Sequence, residues 1–225
     1  MNRAILFDCD STLSTIEGID VLAEQAGVVE QVVPLTNAAM DGRLKLEDAY
    51  AARLDLIRPD AAAIEALGQR YIDTRVNGAC KAVAALRALG WQVHVVSGGI
   101  RQAVLALARH LGVPDERVHA VDLLFDANGA YAGFDSASPL ARSGGKAEVC
   151  RAVLGEVDSV VMVGDGITDL EAGDAGATVI GFGGVVRRDI VARRAHHFID
   201  HADLREVVKL VCTAEEFDRV DLLLR

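Results

Sequence analysis

The chain has 225 residues, 51% of them hydrophobic, which is enough apolar material for one good core and a modest second lobe. Its formal net charge of −10 argues against a protein that neutralises nucleic-acid phosphates, because such proteins carry a clustered basic face. The four cysteines are widely spaced and no apolar run reaches membrane-spanning length, so a disulfide framework and a membrane span have little support. The start of the chain also lacks a secretory-signal pattern, and we expect a cytoplasmic monomer or homodimer with no nucleic-acid or membrane partner.

Short apolar runs rich in Val and Ile recur along the chain and predict buried strands. They are AILF (4–7), VHVV (93–96), VVMVG (160–164) and ATVIGF (177–182). Segments with the helical period of about 3.6 residues lie between these runs. Strands that alternate with helices indicate an α/β fold, here a Rossmann-like doubly wound parallel sheet with helices on both faces.

The alternation is interrupted over residues 14–75, where the pattern is helical throughout. We interpret this segment as an inserted helical-bundle cap on a core formed by residues 1–13 and 76–225. A single apolar stripe within the insert ends at Pro59 and has Arg53 as its one charged member.

Two smaller features follow in the core. The segment DLLFDANGAYAGF (122–134) predicts a small β-hairpin, because Asn128 and Gly129 lie between apolar flanks. The last segment, 202–225, has the pattern of two amphipathic helical pieces, which we expect to pack on the core.

Polar residues concentrate directly after the predicted strands. DCDST (8–12) follows the first strand, SGG (97–99) the second and GDGITD (164–169) the third. Ligands of such sheets bind at the carboxyl ends of the strands, so these segments are expected to meet at one site. Together with SGGK (143–146) they supply a set of side chains suited to phosphoryl transfer: Asp8, Asp10, Thr12, Ser97, Lys146, Asp165 and Asp169.

The chemistry explains why two carboxylates would stand at a strand end. A carboxylate can attack phosphorus to form an acyl phosphate, but a cation must offset the repulsion between the two anions. Three carboxylates and a phosphate dianion carry about −5 charges, against about +3 from one magnesium ion and one lysine. A proton on Asp10, two residues after Asp8, would relieve part of this excess and supply a general acid. Hard oxygen ligands favour Mg²⁺, and Ser97 with the N–H groups of Gly98 and Gly99 can hold phosphate oxygens at a helix start.

Each element also has an ordinary structural explanation. An Asp-x-Asp pair before Ser and Thr can mark a polar turn, the glycines can be turn residues, and an isolated lysine such as Lys146 is usually solvated. Arg53 can extend its charge to solvent from the edge of the apolar stripe, or it can bind an anion. Cys9 is expected to pack, and no histidine is assigned a catalytic role. The joint occurrence at successive strand ends favours the catalytic interpretation.

The segments DCDST, SGG, SGGK and GDGITD resemble the four motifs of the haloacid dehalogenase superfamily of phosphohydrolases. Four further segments resemble the branch of that superfamily that hydrolyses O-phosphoserine: EGID (17–20), AMDGRLKLEDAYAARLDLI (39–57), YAGFD (131–135) and IGFGG (180–184). The resemblance implies Mg²⁺-dependent hydrolysis of O-phospho-L-serine to L-serine and phosphate through an aspartyl phosphate, the last step of serine synthesis. Asp41 departs from the pattern, which commonly has glycine there.

The resemblance also implies catalytic roles in the core. Asp8 would be the nucleophile, and Asp10 would protonate the departing serine oxygen and then activate water. Mg²⁺ would be held by Asp8, the backbone carbonyl of Asp10 and Asp165, with Asp169 supporting these ligands.

Substrate contacts are implied in both parts of the chain. Lys146 would hold the phosphate and assist catalysis, Glu17 would receive the substrate ammonium and Arg53 its carboxylate. The remaining implied substrate contacts are Met40, Ser97, Gly98, Gly99 and Thr168.

Two alternatives remain open at this point. A phosphotransferase, or a phosphatase for another small phosphomonoester, would use the same core motifs. A non-catalytic phospho-accepting signalling domain shares the strand-end aspartate, the hydroxyl and the lysine, but it predicts no turnover and usually no cap. The helical insert with Glu17 and Arg53 argues against the signalling domain.

Overall fold

The structure is a computed structural model that describes residues 2–41 and 43–225, without the side chains of Met40 and Leu46. Its parallel sheet is built from β1 (Arg3–Phe7), β2 (Gln92–Ile100), β3 (Val118–Val121), β6 (Ser159–Gly164), β7 (Thr178–Phe182) and β8 (His197–Ile199). Among the described residues the strand order is β3-β2-β1-β6-β7-β8, with Ile5 of β1 beside Val93 and Val161. The strand order reverses beside β1, so the carboxyl ends of β1 and its neighbours border the crevice where such folds bind ligands.

Helices cover both faces of this sheet. They are α5 (Ala79–Ala88), α6 (Arg101–His110), α7 (Gly145–Leu154), α8 (Ile167–Asp174), α9 (Asp189–Arg194), α10 (Arg205–Val211) and α11 (Ala214–Leu224), with short 3₁₀ turns at Asp115–Arg117 and Pro139–Ala141. Ile5, Leu6 and Phe7 of β1 are fully buried, as expected for a strand covered on both faces. The predicted α/β fold with a doubly wound parallel sheet is confirmed.

The helical insert consists of α1 (Gly18–Ala26), α2 (Val29–Met40), α3 (Leu46–Ile57) and α4 (Ala61–Asp73). Ser14 and Arg75 form an isolated antiparallel bridge, so the chain leaves and re-enters the sheet region at neighbouring points. Helix α4 packs closely on α6, because a Cβ atom on Gly68 would lie 2.8 Å from the Cβ of Ala106. The division into a core and a cap at residues 14–75 stays a prediction.

The hairpin consists of β4 (Leu123–Phe125) and β5 (Tyr131–Phe134), paired antiparallel as the sequence predicts. Its turn is stabilised by Asp126, whose Oδ1 accepts the N–H groups of Asn128 and Ala130, and Gly129 has φ +80°. The ring of Phe134 lies 5.1 Å from that of Tyr50 on α3, so the hairpin contacts the inserted helices.

The edge strands β3 and β8 were not predicted. They span VHAV and HFI, which are too short, and too interrupted by histidine, to stand out as apolar runs. Within the described ranges, no helix has the length and apolar character needed to cross a bilayer.

Candidate active site

The two aspartates of DCDST lie on a tight turn that follows β1. The N–H of Ser14 donates to the carbonyl oxygen of Cys9 (3.0 Å), and Ser11 takes the left-handed φ of +52°. Asp8 Oδ1 accepts the N–H of Cys9 (2.8 Å), which fixes that carboxylate at the strand end. Cys9 itself is fully buried, and burial raises the pKa of its thiol, in agreement with a packing role.

Lys146 joins the first carboxylate to the last motif. Its Nζ lies 2.9 Å from Asp8 Oδ2 and 2.7 Å from Asp169 Oδ1, and all three side chains are buried. Burial opposes the charge on Lys146, but Asp169 and Asp8 outweigh it and raise the pKa of the lysine. Lys146 lies in the first turn of α7, which begins at Gly145.

Burial disfavours the charged forms of Asp8 and Asp165. It raises the pKa of Asp8 well above the ordinary range, against the lowering effect of Lys146. Burial together with Asp169 raises the pKa of Asp165 to about 7, although Arg188 and Lys146 act in the opposite direction. Carboxylates this close and this buried ionise fully only when further positive charge is supplied.

One carboxylate oxygen from each of Asp8, Asp165 and Asp169 lies within 4.8 Å of the other two. This buried set of hard oxygen ligands fits a divalent cation. Both oxygens of Asp169 are already engaged, one by Lys146 (2.7 Å) and the other by the N–H of Gly166 (2.9 Å). Asp169 is therefore suited to holding the site together, the role that the sequence resemblance implied.

The Asp10 carboxylate forms hydrogen bonds with two residues of the insert and with Ser97. Its Oδ1 accepts the hydroxyl of Tyr71 and the N–H of Gly18, each at 2.6 Å, and its Oδ2 accepts the hydroxyl of Ser97 at 3.2 Å. Ser97 Oγ in turn accepts the N–H of Gly99 at 2.9 Å. These contacts link the predicted acid to the second motif and to the inserted helices.

One local prediction is wrong. Gly98 and Gly99 do not lie at a helix start, because β2 continues to Ile100 and α6 begins only at Arg101. The register between β2 and β3 shifts between Val96 and Ile100, and the two glycines lie within this irregular part of the strand.

A pocket with about 490 Å³ of empty space, part of it open to solvent, brings the core motifs together, and we call it the core cavity. Its lining includes the predicted residues Asp8, Asp10, Ser97, Gly98, Gly99, Lys146 and Thr168, and also Ala39, Leu140, Arg142 and Glu171. A second pocket, the cap-side cavity, has about 420 Å³ of empty space, also partly open to solvent, and is lined by Asp10, Glu17, Gly18, Ile19, Tyr50, Arg53, Leu67, Tyr71, Gly99 and Ile100. Both cavities border Asp10 and Gly99, so the two spaces adjoin.

Arg53 and Glu17 bring opposite charges to the cap-side cavity. Arg53 is only 4% exposed, so the interpretation in which it extends its charge to solvent is wrong. Its Nη1 donates to Thr36 Oγ1 and its Nε to the carbonyl oxygen of Ala49, both at 3.2 Å. Glu17 accepts the hydroxyl of Ser11 at 2.6 Å, and burial and the nearby Asp10 raise its pKa.

The sequence reasoning missed Arg188. Its Nε lies 3.2 Å from Asp165 Oδ2 and its Nη1 lies 3.2 Å from Asp41 Oδ1, so it joins the core to the inserted helices. The signal was ambiguous because Arg187 and Arg188 are adjacent, and Arg187 instead lies over the ring of Phe198. The predicted pocket residue Met40 has a side chain outside the described residues.

A parallel sheet whose strand ends gather an Asp-x-Asp turn, a serine, a lysine and an acid pair indicates an enzyme of phosphoryl transfer. Residues 2–176 match the family model described as haloacid dehalogenase-like hydrolase. The chain is 40% identical to phosphoserine phosphatase of Drosophila melanogaster over 88% of its own length and 74% of that protein. It is 39% identical to phosphoserine phosphatase of Mus musculus over 87% of its length and 88% of the relative.

Solved structures agree with the sequence relatives. A phospho-aspartyl intermediate analogue of phosphoserine phosphatase superposes with a TM-score of 0.81 at 30% identity, covering 94% of this chain and 99% of the other. A substrate-bound phosphoserine phosphatase complex gives a TM-score of 0.82 at 28% identity with the same coverage. The chain belongs to the phosphoserine phosphatase family of haloacid dehalogenase-like hydrolases, so the resemblance found in the sequence is confirmed.

Proposed function

We propose that this protein hydrolyses O-phospho-L-serine to L-serine and phosphate, through an aspartyl phosphate on Asp8 and with Mg²⁺ as its cofactor. The observation that carries the proposal is the adjacency of the two cavities. The core cavity holds Asp8 beside Lys146, 2.9 Å apart, and the cap-side cavity holds Glu17 and Arg53. A small phosphomonoester with an ammonium and a carboxylate group has complementary charges for both spaces.

In the first step, an Asp8 carboxylate oxygen forms a bond to phosphorus while the bond from phosphorus to the serine oxygen breaks. Asp10 gives its proton to that oxygen, so serine leaves as a neutral alcohol. Lys146 and Ser97, with the N–H groups of Gly98 and Gly99, would hold the phosphate oxygens in the core cavity.

In the second step, Asp10 takes a proton from a water molecule whose oxygen attacks phosphorus. The bond from phosphorus to Asp8 breaks, phosphate is released and the Asp8 carboxylate is restored. The same residue thus serves as acid and then as base, and its place between the two cavities suits both roles.

Asp8, Asp165 and the backbone carbonyl of Asp10 would hold Mg²⁺, with Asp169 supporting them. When bound, the cation offsets the negative charge that the carboxylates and the phosphate bring together. Two like charges 4 Å apart repel by about 4 kcal/mol at an effective dielectric constant near 20, so this contribution is substantial.

Glu17 would receive the substrate ammonium and Arg53 its carboxylate. Arg53 is buried, and within the described part of the chain no carboxylate lies in ion-pair contact with it, although Asp20 and Glu17 act on its charge from farther away. A buried charge without an opposite partner costs free energy, and a bound carboxylate would offset that cost through paired hydrogen bonds.

We also propose that residues 14–75 act as a cap over the core site. Glu17 and Arg53 belong to this segment, and closing it over a bound substrate would exclude bulk water from the acyl phosphate. The cysteines are all free thiols, which suits a reducing compartment, and on this ground we propose a cytoplasmic location.

The proposal is tested by phosphate release from O-phospho-L-serine, from O-phosphoethanolamine, which lacks the carboxylate, and from phospholactate, which lacks the ammonium. Each substrate is assayed with Mg²⁺ and after chelation. We expect phosphoserine to be preferred and Mg²⁺ to be required.

Asp8→Asn should abolish turnover, whereas Asp48→Asn, which removes an exposed carboxylate on α3, should not. Mass spectrometry of the acid-quenched protein should find the phosphoryl group on residue 8. A label on any other side chain, or equal rates on all three esters, would contradict the proposal.

A further inference from the structure

We propose that Tyr71 is a positioning residue that orients Asp10 for protonation of the leaving group. The inference rests on the proposed function and extends it to a residue that lies on helix α4 of the insert. Tyr71 is fully buried, and its hydroxyl donates to Asp10 Oδ1 at 2.6 Å. A hydrogen bond from a buried donor to a carboxylate is among the strong ones, so it fixes the rotation of the carboxylate.

The second donor to Asp10 Oδ1 also comes from the insert. The N–H of Gly18, the first residue of α1, donates to the same oxygen at 2.6 Å. With two donors on Oδ1, the other oxygen, Oδ2, is left for the proton that passes to the leaving group. Oδ2 lies 3.2 Å from the hydroxyl of Ser97, which lines the core cavity.

The space around the phenol shows how closely this arrangement is packed. A Cβ atom on Gly18 would lie 2.0 Å from the hydroxyl oxygen of Tyr71 and 3.2 Å from a methyl group of Leu67. Any side chain at residue 18 would therefore displace the hydroxyl from Asp10. The lack of a side chain at Gly18 therefore leaves the space in which the Tyr71 hydroxyl reaches Asp10.

The nucleophile and the acid are thus oriented from different parts of the molecule. Asp8 is held by the N–H of Cys9 and by Lys146, which both belong to the sheet region. Asp10 receives two of its hydrogen bonds from Tyr71 and Gly18, which both belong to residues 14–75. Loss of the phenol should therefore impair leaving-group protonation and spare nucleophilic attack.

The test compares two substrates with different leaving groups. The serine alkoxide needs a proton to leave, whereas the acetate of acetyl phosphate does not. In Tyr71→Phe we expect kcat/KM for O-phosphoserine to fall about 10- to 100-fold, the range for one lost hydrogen bond to a charged group. We expect kcat/KM for acetyl phosphate to fall less than about threefold. The quantity kcat/KM reports only the steps up to formation of the acyl phosphate, so it is independent of the later hydrolysis.

Three further measurements keep the inference open to refutation. Tyr131→Phe, which alters a buried tyrosine of the hairpin outside both cavities, should change kcat/KM for neither substrate. Gly18→Ala, which displaces the phenol without removing it, should reproduce the selective loss. Calorimetry with O-phosphoserine, in the Asp8→Asn background that cannot turn over, should give dissociation constants within about twofold with and without Tyr71→Phe.

Equal losses on both substrates would show that Tyr71 is merely structural, and a dissociation constant weakened by more than about twofold would show that it serves substrate binding; either result would overturn the inference alone. No loss on phosphoserine would also overturn it. Failure of the proposed function gives a different result, because the unmodified protein would then not hydrolyse phosphoserine at all.

Discussion

Charged side chains are stabilised differently at the strand ends and on the inserted helices. At the strand ends two largely enclosed cations contact carboxylates: Lys146 contacts Asp8 and Asp169, and Arg188 contacts Asp165. On the inserted helices Arg53 is held by the Thr36 hydroxyl and a carbonyl oxygen, which carry no net charge. The first region has its charges balanced by direct contact, whereas Asp20 and Glu17 act on the charge of Arg53 only from farther away.

Under the proposed function, this difference in charge contacts corresponds to two roles, phosphoryl transfer at the strand ends and substrate recognition on the insert. Paired charges at the strand ends persist whatever ester is bound, so they suit a phosphoryl transfer common to many substrates. An unpaired buried guanidinium is costly until an anion arrives, and the binding of the correct anion relieves that cost. Under the proposed function the reaction belongs to the strand ends and the choice of substrate to the insert, so substitutions in the two regions should have different consequences.

The largest effect is expected at Asp8. Asp8→Asn removes the nucleophile and should lower kcat by at least about 10⁴-fold, as for other covalent catalysts. Burial raises the pKa of Asp8, which means that its charged form is disfavoured in the fold, so the neutral amide should leave the metal-free protein equally or more stable. Phosphate release and thermal unfolding measure the two effects. Activity within tenfold of the unmodified protein would contradict the assignment.

Arg53 should affect one substrate more than another. Arg53→Ala should lower kcat/KM for O-phosphoserine on the order of 100-fold, because truncating one partner of a buried charge pair is costly. O-phosphoethanolamine has no carboxylate to lose, so its kcat/KM should change less than about threefold. Arg70→Ala, which removes an exposed arginine of α4, serves as the matched control. Equal losses of kcat/KM on both esters would show that Arg53 does not recognise the substrate carboxylate.

The core site was predictable and the insert only partly so, for a physical reason. Asp8 and Asp165 each follow a strand directly and Ser97 lies near the carboxyl end of β2, so knowing that the strands are parallel brings their side chains together. Arg53 looked ambiguous because burial decides between solvation and binding, and burial depends on how α2 and α3 pack. Tyr71 gave no signal at all, since it meets Asp10 across 61 residues of chain through tertiary packing alone.

Glu17 should make substrate recognition depend on pH. Burial, followed by Asp10, raises the pKa of Glu17, so its ionisation needs a higher pH than that of an exposed glutamate. Because only the ionised form attracts an ammonium, KM for O-phosphoserine should fall as pH rises through the raised pKa, while KM for phospholactate should not follow that profile.

The same shift has a consequence for stability. The folded state binds more protons at Glu17 than the unfolded state does, so the free energy of unfolding falls as pH rises above the ordinary glutamate pKa. Glu17→Gln should remove this part of the slope and should raise KM for phosphoserine about tenfold. Urea unfolding between pH 4 and pH 8 tests the slope. An unchanged slope in the variant would mean that Glu17 is already balanced by a cation, contrary to the comparison drawn above.

The smallest effect is expected where the two regions meet. Asp41 of the insert pairs with Arg188 at 3.2 Å and with the exposed Arg43 at 2.9 Å, but the Asp41 side chain is 42% exposed, so solvent and salt screen both pairs. Asp41→Asn should lower the free energy of unfolding by about 0.5 kcal/mol at low ionic strength, and the difference should disappear near 1 M salt. Asp189→Asn is the matched control, because it removes a carboxylate from another exposed ion pair, the one with Arg187. A loss of phosphoserine turnover beyond about threefold in Asp41→Asn would place Asp41 and Arg188 among the groups that hold the substrate, and pairing of charges would then no longer distinguish the strand ends from the insert.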